Sequence, residues 1–108
     1  MTQAIQTPSI AIPADVYAFA AEQGAAPYLP AILEMTRRRF PDARRLAVLV
    51  EEDPEIANDR HIAIEVDVAG ITVEQYIAAD RNWGHELFQL CPAPLVCVFR
   101  LILSIVEP

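Results

Sequence analysis

The chain has no lysine: its eight basic residues are all arginines, set against fifteen aspartates and glutamates. The formal net charge of −7 repels polyphosphate, which argues against sequence-independent nucleic-acid binding and against docking on anionic membranes. Only two cysteines are present, Cys91 and Cys97, with five residues between them. That is neither a disulfide framework nor the two-residue spacing of redox and zinc motifs. Three glycines, Gly24, Gly70 and Gly84, lie far apart, so there is no glycine-rich loop to cradle a phosphate. No Gly-x-Ser-x-Gly, HExxH or dinucleotide fingerprint occurs. The longest apolar run, Leu95 to Val106, is broken by Arg100 and Ser104 and is shorter than the ~20 residues a membrane helix needs. Met1 to Ile12 lacks the basic start and continuous apolar centre of a signal peptide. The expectation is a soluble cytoplasmic protein with reduced thiols.

What is there is a globular composition: 54% hydrophobic and 21% charged in 108 residues, enough for one domain with a core. The strongest pattern is Arg45 to Val68. The run His61-Ile-Ala-Ile-Glu-Val-Asp-Val alternates, with Ile62, Ile64, Val66 and Val68 on one face and His61, Ala63, Glu65 and Asp67 on the other. Leu46, Val48 and Val50 repeat the pattern upstream. Period-two alternation marks strands with one buried face, and the acidic segment 51–59 between them predicts a β-hairpin.

Helices are expected around it. Pro13 suits a first helical position, and Gly24 suits the left-handed residue that ends the helix. A second helix spans Pro27 to Phe40, with Arg37, Arg38 and Arg39 at the negative end of its dipole. Thr72 and Gln75 have the spacing of a capping box, with Ile71 and Tyr76 as its hydrophobic staple. The third helix should run to Leu90, with Val73, Tyr76, Ile77, Trp83, Leu87 and Leu90 on its inner face and Gly84 weakening its middle. After Cys91-Pro-Ala-Pro, Leu95 to Val106 reads as the third strand.

The predicted fold is therefore α+β and two-layer, in the order α-α-β-β-α-β, with a three-stranded sheet. A split β-α-β connection gives strand order 2-1-3. Residues 1–12 form a loose tail and 13–108 the single domain. If residues 9–12 form a strand, the topology becomes ferredoxin-like.

Candidate chemistry is sparse. Glu51, Glu52, Asp53, Glu55 and Asp59 lack the glycine and terminal glutamate of a calcium loop, and they read best as a solvated tip that discourages edge aggregation. The arginines at the second helix end are expected to pair with this hairpin. Cys97 is expected to be a small buried hydrophobe. His61 and His85 are expected on the surface, with no nucleophile in reach. No catalytic residue, metal ligand or cofactor is assigned. One feature points outward: Ala47, Leu49, Ala63, Val96, Val98 and Ile102 would make an apolar strip on the face of the sheet away from the helices. Monomers seldom expose such a strip, and a homodimer would bury it. The competing cover is the first helix or the N-terminal tail.

Phe40-Pro41-Asp42-Ala43, then Asp53-Pro54-Glu55-Ile56, then an alternating strand and a helix with Trp83, resembles a group of small bacterial proteins of unknown function. The resemblance covers Phe40 to the C-terminus and brings no activity with it. The reading is a non-catalytic protein-interaction module, accessory or antitoxin-like, acting as a homodimer. The alternative is a small-ligand- or metal-binding protein or enzyme that uses the acidic hairpin 51–61, with Asp53, Glu55, Asp59, Arg60 and His61 as its polar groups.

Overall fold

The computed structural model describes residues 11–107. Its elements are α1 (Ala14–Glu22), a 3-10 turn (Ala26–Tyr28), α2 (Leu29–Arg39), β1 (Arg45–Glu52), β2 (Arg60–Val68), α3 (Val73–Leu90), a second 3-10 segment (Ala93–Val98) and β3 (Phe99–Ile105). This is the expected α+β class with a three-stranded sheet. Of the tail, residues 1–10 lie outside the described residues, and Ala11 and Ile12 carry no regular structure.

The helix ends follow local chemistry. Pro13 sits one residue earlier than expected, as the residue before α1, in extended conformation. Its carbonyl accepts the amide of Tyr17 at 3.1 Å. Gly24, at φ +75°, closes the helix: Ala25 N donates to Ala20 O at 2.8 Å and Gly24 N to Ala21 O at 3.1 Å, the paired bonds of a Schellman motif. At α3, Gln75 N donates to Thr72 Oγ1 at 3.1 Å, and Gln75 Oε1 accepts from Thr72 N at 2.8 Å. The capping box is complete, and Ile71 and Tyr76 both pack against the core.

The strand order is β1-β2-β3, not 2-1-3. β1 pairs antiparallel with β2, with Val48 opposite Ile64 and Glu52 opposite Arg60. β3 pairs parallel with β2, with Ile64 opposite Leu101. The reason lies in the strands' second faces. β2 buries His61 and Ala63 as well as Ile62, Ile64 and Val66, so it can be sheltered on both sides. Arg45 and Glu51 on β1, and Arg100 and Ser104 on β3, need water nearby and suit edges. β3 also begins four residues later than expected, because Pro92 and Pro94 initiate a 3-10 segment in which Leu95 N donates to Pro92 O at 2.9 Å.

All three helices lie on the face made by Val48, Ile62, Ile64, Val66, Phe99 and Leu103, with Val16, Phe19, Leu29, Ile32, Leu33, Met35, Trp83 and Leu87 in the same core. α2 and α3 are joined by a buried polar chain. Trp83 Nε1 donates to Thr36 Oγ1 at 2.9 Å, and that hydroxyl donates to Ile32 O at 2.8 Å. Thr36 is fully buried, so the hydroxyl is the partner that lets the indole nitrogen enter the core. Thr36→Val should therefore cost about 1–3 kcal/mol, since it strands a buried donor. Urea unfolding followed by Trp83 fluorescence checks this; an unchanged midpoint contradicts it.

Candidate functional site

The polar residues of the hairpin do not converge. The loop after β1 is closed by Asp53 N donating to Asp59 O at 2.9 Å, and Asn58 takes φ 65°. Asp53 spends its carboxylate on the loop itself, accepting from Glu55 N at 2.8 Å. Asp59 lies 3.6 Å from Arg100 of β3. Arg60 points the other way, 3.5 Å from Glu22 and with its guanidinium 4.8 Å from the centre of the Phe19 ring. Asp53, Asp59, Arg60 and His61 thus serve separate neighbours, and Glu55 is exposed. Among the described residues no group of three or more His, Cys, Asp or Glu side chains is placed to hold a metal ion.

His61 departs from its expected surface position: it is 2% exposed. β1 brings Glu51 directly opposite it, and Nε2 lies 2.9 Å from Glu51 Oε1. A carboxylate only accepts, so Nε2 is the donor, and Nδ1 is left buried with no hydrogen-bond partner among the described residues. Alternation alone placed His61 on the polar face. The burial comes from its position on the central strand, which only the strand order reveals. His85 is exposed, as expected.

The cysteines differ in setting. Cys97, expected inside, is exposed, because the segment that carries it is the 3-10 turn and not a strand. Its Sγ lies 3.7 Å from Pro94 O. Cys91 is the buried thiol, and burial pushes its pKa up, with Cys97 adding to the effect. A thiol of that kind is a poor nucleophile.

The arginines at the end of α2 do not reach the hairpin tip. Arg37 Nε donates to Glu34 at 2.9 Å within α2. Arg38 and Arg39 both pair with Glu86 of α3, Arg39 Nε at 2.7 Å. Arg45 pairs with Glu65 at 2.7 Å and lies 3.7 Å from Asp67 on β2. They tie the elements together and leave no convergent cationic pocket. A shallow cavity of about 320 Å³ lies beside Arg39, Phe40, Asp42, Gly70 and Ile71, and none of the candidate polar residues lines it.

The six residues of the expected outer strip fall into three settings. Val98 is buried in the core and Val96 packs against it. Ala63 is fully buried on the outer side of β2. Ala47, Leu49 and Ile102 remain partly open there. The larger apolar surface is elsewhere, on α3, where helical spacing leaves Val73, Ile77 and Phe88 66%, 50% and 62% exposed. Sequence periodicity placed Val73 and Ile77 inward with Trp83. The structure shows the inner side of α3 to be narrower, set by Tyr76, Trp83 and Leu87.

Comparison with known proteins finds no matching family, no matching curated protein and no matching solved structure. No helix among the described residues is long and apolar enough to cross a membrane.

Glu86 offers the sharpest electrostatic test. Partial burial raises the pKa of its carboxyl, but the hydrogen bonds from Arg39 and Arg38 outweigh it and hold the group below its ordinary value. A depressed folded-state pKa stabilises above the unfolded value and is lost as pH falls through the folded one. Glu86→Gln should therefore cost about 1 kcal/mol at neutral pH, and the gap to wild type should close as the pH is taken below the carboxylate range. Thermal unfolding of both proteins across pH reads this directly; a gap that widens in acid contradicts it.

Proposed function

We propose that the chain is a non-catalytic protein-interaction module of the accessory or antitoxin-like kind, working as a homodimer in the cytoplasm. One observation carries this reading. Among the described residues seven large hydrophobics are left exposed, and five of them belong to α3 and β3: Val73, Ile77, Phe88, Ile102 and Ile105. Apolar side chains scattered singly over a surface need no explanation, but a concentration of them marks a contact surface.

The polar side chains supply the complement. His61 with Glu51, Asp53, Asp59, and Arg37, Arg38, Arg39, Arg45, Arg60 and Arg100 are engaged in hydrogen bonds or ion pairs that hold the fold. None of these arrangements sets a nucleophile beside a base, which covalent catalysis would need. The acidic tip disfavours nucleic acid as the partner, and a protein surface is the remaining complement to an apolar flank.

Light scattering at a series of concentrations tests the reading. The expected mass is twice the 12.0 kDa of one chain, falling toward one chain on dilution. A single-chain mass at every concentration up to about 100 μM, far above the Kd of a specific complex, contradicts it.

A further inference from the structure

Building on that reading, we propose the arrangement of the dimer: β3 pairs antiparallel with β3 of a second copy about a dyad at Ile102, and the exposed flanks of the two α3 helices meet across the same dyad.

β3 is an edge strand whose only neighbour among the described residues is β2. Edges are ordinarily protected by charge, proline or a covering element. β1, the other edge, carries Arg45, Glu51 and Glu52. β3 reads Phe-Arg-Leu-Ile-Leu-Ser-Ile, with Arg100 its one charge. Along this edge Leu103 O already accepts the Tyr76 hydroxyl at 2.9 Å with one lone pair; its other lone pair and the remaining outward backbone groups beside Ile102 and Ile105 are left for a partner strand.

The helix adds a second surface at the same edge. On α3, Trp83 and Glu86 face α2 through Thr36, Arg38 and Arg39. Tyr76 faces the sheet, its hydroxyl donating to Leu103 O at 2.9 Å. At 100° per residue, Val73, Ile77, Gly84 and Phe88 fall beyond the sheet-facing side, on the flank turned from α2. That flank stands over the free edge of β3. Gly84 is a notch in it, with no atom within 4 Å of where a Cβ would stand.

Both surfaces are self-complementary about one axis. Ile102 is the middle residue of Phe99–Ile105, so a dyad there pairs the whole strand: Ile102 with Ile102, Leu101 with Leu103, Phe99 with Ile105. The Tyr76–Leu103 bond holds α3 alongside β3 close to the strand middle. The same dyad then brings the α3 flank of one copy, with Val73, Ile77 and Phe88, against that of the other. The five exposed side chains present on the order of 400 Å² per copy, and the strand edge adds to this, approaching the ~800 Å² per partner of a standard interface.

Charge selects the antiparallel sense. Each copy carries Glu51, Glu52, Asp53, Glu55 and Asp59 at one end of its sheet and Arg44 and Arg45 at the other. Parallel alignment would set the two acidic tips side by side. The dyad sends them to opposite ends, separated by about 30 Å of strand and several Debye lengths at physiological salt.

The test uses the full chain with the exposed Cys97 changed to serine. Ile102→Cys should form an intermolecular disulfide under mild oxidation, because the two residues face each other across the dyad. Leu49→Cys, on the outer face away from the edge, should not. Phe88→Glu should shift the protein to single-chain mass with its far-ultraviolet circular dichroism unchanged. A dimer that crosslinks through Leu49→Cys and not through Ile102→Cys overturns this arrangement and leaves self-association standing. A wild-type chain that is monomeric at all concentrations overturns both. A monomer whose β3 amides exchange slowly on both sides assigns the edge to another segment of the same chain, and it overturns the arrangement as well.

Discussion

The structure depends on β2 lying between its two partners. A strand flanked on both sides must bury both faces, and β2 is the only one of the three that can: Ile62, Ile64 and Val66 fill the helix side, while Ala63 and His61 close over on the other. Alanine is small enough to sit under Leu49 and Arg100, the residues opposite it on either side. His61 enters only because Glu51 stands opposite and takes its proton-bearing nitrogen. Once β2 is inside, β1 and β3 are edges, and the positions of α3 and of the exposed apolar residues follow.

The same constraint sorts what the sequence shows from what it hides. The hairpin, the capping box at Thr72 and the glycine stop at Gly24 are local devices, complete within a few residues, and each is legible from spacing alone. Strand order is not local. A helix leaving β2 can return its chain beside β2 or beyond β1, and the alternation patterns of the strands are equal to either. The deciding feature was the character of the second faces, since Arg45 and Glu51 belong at an edge and Ala63 does not. From that one uncertainty flow the displacement of His61 and the dispersal of the expected outer strip. The exposure of Cys97 has another cause: two prolines hold residues 93–98 in a 3-10 segment where apolar content alone suggested a strand.

α3 carries the tension between fold and function. Its inner side is anchored by Trp83 on Thr36, by Tyr76 on β3 and by Glu86 on two arginines. Its flank retains Val73, Ile77 and Phe88 in water, and Gly84 in mid-helix, where alanine would be favoured by about 1 kcal/mol and nothing in the single chain would obstruct it. A helix so well held on one side has little stability to gain from these choices. They are the features that the proposed contact surface would use.

Every part of this account, from the burial of His61 to the open edge, requires β3 to lie against β2. Cross-strand nuclear Overhauser contacts measure that pairing directly. The parallel register predicts contacts between the backbones of Ile64 and Leu101 and of Val66 and Leu103. Contacts from β3 to Val48 or Val50 of β1 instead would put β1 in the centre and contradict the account.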